Sequence, residues 1–222
     1  MKELIKFVNE SEMKIKKIKE EEMKLKNEEL NIIIPDKTKN ILNINVHGKS
    51  KINQIVNGNK IILNNKIHVH DNSSLEIQIK SIENDFVILY DEITLGKNSE
   101  LKYVFKSKTK GKIFHFVGVS HKENARSNVS IRSNIHGSFV SLGKLIFTEE
   151  ASNSKGELEQ LVITNENSEA TLLPILLVKN KNAKAHHRAK KIIIRDEDLF
   201  YLNSKGLDKK SIEKLIEKFV MG

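Results

Sequence analysis

The spacing of apolar positions changes twice along this chain and marks three segments. Over residues 2–29, Leu4, Val8, Ile15, Ile18 and Leu25 recur at mixed three- and four-residue spacing among interleaved Lys and Glu. That period predicts one long amphipathic helix, or two, with many i,i+4 ion pairs. The stripe is thin and broken by Ser11, Glu22 and Glu29, so the segment needs the main body or a partner to be stable. Pro35 and the turn around Asp36-Lys37 close it.

From about residue 31 to 195 the pattern becomes short Ile, Val and Leu alternations punctuated by Asn, Gly and Asp, which reads as strands. An internal repeat runs through it. "KIHVHDNSSLEIQI" (66–79) aligns without gaps on "EITLGKNSELKYVF" (92–105), at a period of 26. Ile67 matches Ile93, Val69 matches Leu95, and Asn72-Ser73 matches Asn98-Ser99. Leu75, Ile77 and Ile79 match Leu101, Tyr103 and Phe105. Each copy is strand, Asn-Ser corner, strand. A unit this short cannot bury its own apolar face and must stack on its neighbours. The expectation is a coil of a parallel β-helix, with corner asparagines stacked as an amide ladder. An antiparallel jelly roll is the competing architecture.

Residues 196–222 return to helical spacing. Asp196-Glu197-Asp198 suits a helix N-terminus, with Asp196 as the N-cap, and Gly206 ends the short helix. Asp208 caps a second helix that places Ile212, Leu215, Ile216 and Phe219 on one stripe. The predicted organisation is an N-terminal amphipathic helical segment (1–30), a β-helix core (31–195) and a C-terminal helical segment (196–222).

Composition narrows the chemistry. The chain has no cysteine, which excludes disulfides, thiolate catalysis and cysteine-held metal on this chain and fits a reducing compartment. No apolar run approaches the roughly 18–20 residues of a membrane span, and charges interrupt the first residues too often for a signal peptide. A cytoplasmic protein with no membrane partner is expected. The net charge of +9 sits in the middle segment, since both ends are close to neutral. Only four of the 38 basic residues are Arg, and Trp is absent. Base and phosphate recognition leans on Arg and aromatic groups, so the composition argues for a lysine-rich solvated surface over a nucleic-acid-binding protein.

The end of the chain resembles a known family. Ala185-His186-His187-Arg188-Ala189, then a few β residues, "DEDLFYLNSKGL" and a closing amphipathic helix are similar to the end of the SufB/SufD family, the scaffold proteins of SUF iron–sulfur cluster assembly. The stretch "RSNVSIRSNIHGSFVSLGKLIFTEEASNSKGELEQLVITNENSEATLLPILLVKNKNAKAHHRA", with its Pro174 strand, resembles the family core, and the likeness extends over roughly residues 90 to 222. The usual family string has Arg where this chain has Lys205. The resemblance implies a right-handed parallel β-helix with helical segments at the N- and C-termini, and no enzymatic activity. It implies dimerisation through the β-helix, as a homodimer or with a SufB-like paralogue. It also implies docking of a SufC-like ABC ATPase on Phe200, Tyr201, Leu202, Leu207, Ile212, Leu215, Ile216 and Phe219. The chain has no Gly-rich phosphate loop of its own, so ATP hydrolysis belongs to such a partner.

His187 is the candidate ligand. By the resemblance it matches the histidine that the family places just after its penultimate strand, where it helps hold iron or a nascent iron–sulfur cluster. It lies among Lys184, Arg188, Lys190 and Lys191, whose charge favours an unprotonated, ligating ring; a solvated basic turn is the plainer reading. Two departures follow. SufB places an acidic residue after this histidine where this chain has Arg188, and a cysteine near what is here Leu158-Glu159. The match therefore leans to SufD or to a minimal archaic member. One imidazole cannot hold a cluster whose usual ligands are thiolates, so such a role would borrow ligands from a partner.

Two other patterns bear on chemistry. His68 and His70, at i,i+2 beside Asp71, share one strand face and have a spacing that can bind metal, although two histidines on a wet face is the simpler reading. A carbohydrate-active or metal-dependent β-helix enzyme would need clustered carboxylates, and only Glu149-Glu150 and Glu157/Glu159 come near pairing.

Overall fold

The alternation of apolar and polar residues becomes a stack of coils, each made of two strands. The computed structural model describes residues 19–221. Fourteen strands are present among them: β1 Lys19–Lys26, β2 Glu29–Ile34, β3 Lys39–His47, β4 Lys49–Val56, β5 Ile61–Val69, β6 Ser74–Ile82, β7 Phe86–Leu95, β8 Glu100–Thr109, β9 Lys112–His121, β10 Arg126–Ile135, β11 Ser138–Phe147, β12 Lys155–Asn165, β13 Glu169–Val178 and β14 Lys184–Ile194. Odd strands form one seven-stranded sheet and even strands another. All pairings are parallel, and each strand between the ends of its sheet hydrogen-bonds to the strands one coil before and after it. This is a parallel β-helix, not a jelly roll.

The 26-residue repeat is one coil. Ile67 pairs with Ile93 and Val69 with Leu95 in the odd sheet, while Leu75, Ile77 and Ile79 pair with Leu101, Tyr103 and Phe105 in the even sheet. The coil is shorter near the N-terminus, 22 residues between Asn31 and Asn53, and longer near the C-terminus, 29 between Glu159 and Arg188. Inward residues alternate with outward ones, so columns of like residues line the interior. One such column is Val46, Val69, Leu95, His121 and Phe147, all fully buried.

The corners show why the turn residues recur. Asn72, Asn98 and Asn124 all sit in the left-handed region, at φ 57°, 54° and 56°, which Asn tolerates better than most residues. Their side chains form the expected ladder: Asn98 Nδ2 donates to Asn72 Oδ1 and Asn124 Nδ2 to Asn98 Oδ1, each at 3.1 Å. At the opposite corner a Cβ on Gly137 would come within 2.2 Å of the Gly111 carbonyl oxygen, so a side chain does not fit.

Helix α1 spans Asp196–Ser204 and α2 spans Lys209–Met221. Arg195, rather than Asp196, is the N-cap of α1, and its N–H donates to Asp198 Oδ2 at 2.9 Å. Gly206 leaves α1 at φ 87°, and Asp208 caps α2 by accepting from the Ser211 N–H at 2.8 Å. α2 lies along the even sheet against β8 and β10, not across the end of the stack. Ile212 and Val220 are buried there, and Lys108 pairs with Glu217 at 2.8 Å.

Residues 1–18 of the expected N-terminal helix lie outside the described residues. Its last part, Lys19–Lys26, is strand β1, with Leu25 buried in the core. Pairing of its whole length with β3 overrides the helical spacing there. No helix among the described residues is long and apolar enough to cross a membrane.

Candidate functional site

The last coil ends with β13 and β14, which are the outer strands of their sheets. His187 lies inside strand β14 rather than in a turn, in register with Leu158. It closes an interior column that runs Ile52, Ile77, Tyr103, Val129, Leu158 and His187. Leu158 is buried at 2%, whereas His187 is exposed because no further coil covers it. The neighbouring Arg188 points to the outer face and pairs with Glu159 at 2.8 Å. Val178 and Ile193 on the same coil are large apolar residues left 48% and 46% exposed.

The other candidate surface is on the C-terminal helices. Phe200 is 76% exposed, Tyr201 60%, Leu215 55% and Phe219 54%. Leu202, Leu207 and Ile216 are half-buried, and Ile212 is in the core contact. The structure thus divides the eight predicted docking residues into anchors and an exposed apolar group.

Sequence reasoning missed a buried polar chain that crosses between the sheets. Asn65 Nδ2 donates to Asp91 Oδ1 at 2.6 Å, and the Tyr103 hydroxyl donates to Asp91 Oδ2. His115 Nε2 lies 2.8 Å from the Tyr103 oxygen, and its Nδ1 lies 3.4 Å from Ser141 Oγ. Gln160 Nε2 donates to Ser141 Oγ at 2.9 Å. These contacts fit a His115 tautomer with hydrogen on Nε2, so every donor points towards Asp91. Burial raises Asp91 to about 6, against the hydrogen bonds from Tyr103 and Asn65 that lower it. Burial lowers His115 to about 3, so it is neutral. The available signal was polar residues at inward positions of otherwise apolar strands.

The paired-histidine reading changes too. His70 stacks on His47 of the adjacent coil with ring centroids 3.9 Å apart, and His68 meets His70 edge-on at 4.4 Å. Burial and the two neighbouring rings lower the pKa of His70. Among the described residues, no group of three or more His, Asp or Glu is placed to hold a metal ion. Glu159 lies near Arg132 as well as Arg188, and Glu149 and Glu150 line an open corner cavity with Thr94, His121 and Lys179. The even sheet's outer face carries a register column of Glu29, Lys51, Glu76 and Lys102, with ion pairs of 3.3 Å and 2.9 Å. In that column Lys51 and Lys102 face carboxylates.

Residues 119–218 match the family model described as SUF system FeS cluster assembly, SufBD core domain. An iron-sulfur cluster assembly SufBD family protein of Staphylococcus epidermidis is 27% identical over 171 residues, covering 72% of this chain and 36% of that protein. Over these residues the chain is similar to the SufB/SufD family. It spans about a third of the length of that curated relative. The SufBD core match takes in the last coils, His187 and both helices up to Lys218. In the register Leu158, a buried apolar side chain, is the direct cross-strand neighbour of His187.

Proposed function

We propose that this chain is a non-enzymatic scaffold component of SUF-type iron–sulfur cluster assembly, SufD-like in lacking cysteine ligands. It dimerises through the last coil and docks a SufC-like ABC ATPase on α1 and α2. The exposure of Phe200, Tyr201, Leu215 and Phe219 on helices held by Ile212 and Val220 carries the reading, since an exposed apolar group on an anchored element marks a docking surface. Dimerisation is supported by β13 and β14, whose outer edges and side chains Val178 and Ile193 end the stack. In a dimer, His187 of each copy, or of this chain beside a SufB-like paralogue, would lie near the junction. The iron or cluster is cargo there, with thiolates supplied by the partner because this chain has none.

The test is capture of a purified SufC-type ATPase by the full chain and by the variant Phe200→Ser/Tyr201→Ser/Leu215→Ser/Phe219→Ser. Binding to the full chain and at least ten-fold weaker binding to the variant are expected. Unchanged affinity of the variant overturns the docking assignment.

A further inference from the structure

Two inward columns of the core carry polar residues among aliphatic ones. In the even sheet one runs Ile32, Gln54, Ile79, Phe105, Ile131 and Gln160. In the odd sheet another runs Leu42, Asn65, Asp91 and Val117. A cavity lies between them in the first coils, and it leaves about 10 Å3 for the centre of a water molecule. Its wall is aliphatic, with Leu42, Ile52 and Ile77 among the side chains, apart from Gln54, Asn65 and Asp91. These three are only 3%, 3% and 1% exposed. Gln54 Nε2 and Asn65 Oδ1 are buried there without a hydrogen-bond partner among the described residues. The other end of the Asn65 amide is already engaged, since its Nδ2 donates to Asp91 Oδ1 at 2.6 Å. Turning that amide over to serve the oxygen would cost this bond. One buried donor on β4 and one buried acceptor on β5 are thus left facing the same small space, an arrangement that is costly in an apolar interior.

We infer that this cavity is a binding site for a single water molecule, which accepts from Gln54 Nε2 and donates to Asn65 Oδ1. The space matches the roughly 10–15 Å3 that one water needs, and the polar groups supply the two or more partners that hold it. Its second hydrogen is available to Asp91, whose oxygens accept from Asn65 and Tyr103 and keep further lone pairs. A hard cation takes about six or more oxygens, whereas here it would meet an N–H group and an aliphatic wall. The ligand is therefore neutral and must both donate and accept, which is the chemistry of water. Through it Gln54 joins the chain of Asn65, Asp91, Tyr103, His115, Ser141 and Gln160, which then reaches from β4 to β12. The water bridges the two sheets as the Tyr103–His115 contact does further along the stack. The inference is independent of the assembly role proposed above.

Magnetic relaxation dispersion of the solvent counts the waters that a protein holds for longer than its own tumbling time. It is measured on the full chain and on Gln54→Met, a change of similar length that removes the donor. The count is expected to fall by one water per chain in the variant, and an unchanged count overturns the inference. Should Gln54→Met fail to fold, seen by circular dichroism, a measurement on the parent alone decides. In a nitrogen-edited spectrum the Gln54 side-chain amide is expected to show a cross-relaxation peak at the water frequency. Among the described residues no hydroxyl lines the cavity, so exchange through a protein O–H does not supply such a peak. A Gln54 amide with no peak at the water frequency overturns the inference, because the donor then faces only protein.

Discussion

Tyr103 on β8 and His115 on β9 approach to 2.8 Å in the interior, tying the two sheets together through side chains. The same phenol donates to Asp91, which therefore ends a directional series of donors beginning at Gln160. Such a buried polar chain specifies how the coils stack, because any slip strands a buried donor or carboxylate.

Asp91 makes stability depend on pH in a direction opposite to the usual carboxylate. Its ordinary value is 3.8 and the folded value is about 6. The stability linked to its protonation is therefore full below about pH 4 and lost as pH rises through 6, on the order of 2–3 kcal/mol at most. His115 opposes it at the acid end: with a folded value of about 3 against 6.5, its contribution is full above 6.5 and falls away as pH drops towards 3. Asp91→Asn is expected to lose less stability than the parent between pH 4 and 7 in urea denaturation. Parallel profiles for the two proteins would show that Asp91 does not titrate in this way.

The asparagine ladder can be separated into backbone and side-chain parts at Asn98. Asn98→Ala removes both ladder bonds and puts Cβ without a polar side chain at φ 54°, a conformation costing about 1–2 kcal/mol. Asn98→Gly removes the same bonds but not the conformational ease. Chemical denaturation should rank the parent above Asn98→Gly and Asn98→Gly above Asn98→Ala. Equal losses would mean that only the ladder bonds matter.

On α2, anchoring and docking residues should behave differently. Ile212 is 3% exposed, so Ile212→Ala should loosen the helix by about 2–4 kcal/mol, seen as faster amide exchange in α2 while the β-helix stays protected. Phe219, largely in solvent, should change stability by less than about 0.5 kcal/mol when made Ala. A large stability loss from Phe219→Ala would place it in the packing rather than on the free face.

The open end of the stack predicts the oligomer. Val178→Lys/Ile193→Lys puts charge on two half-exposed apolar positions of the last coil, which edge pairing would not tolerate. Light scattering at micromolar concentration should give a dimer for the parent and 25.4 kDa for the variant. A parent that is monomeric alone yet pairs with a SufB-like chain would assign this edge to the heterodimer.

The coil was legible in the sequence because its determinants are local. Alternation assigns inside and outside, Asn72 and Asn98 mark equivalent corners, and Gly206 and Asp208 separate two helices through their own backbone geometry. Other features arise only from contacts one coil apart. Lys19–Lys26 looks helical by spacing and becomes a strand because β3 offers it a complete ladder. Asn65, Asp91, Tyr103 and His115 read as unrelated polar residues until stacking brings them together, since their partners lie on strands of both sheets. His187 is solvent-exposed although its column is interior, because the stack ends there. Period and turn chemistry determined the coil; which side chains meet, and which end stays open, was decided by coil-on-coil packing, a lateral contact that no local period encodes.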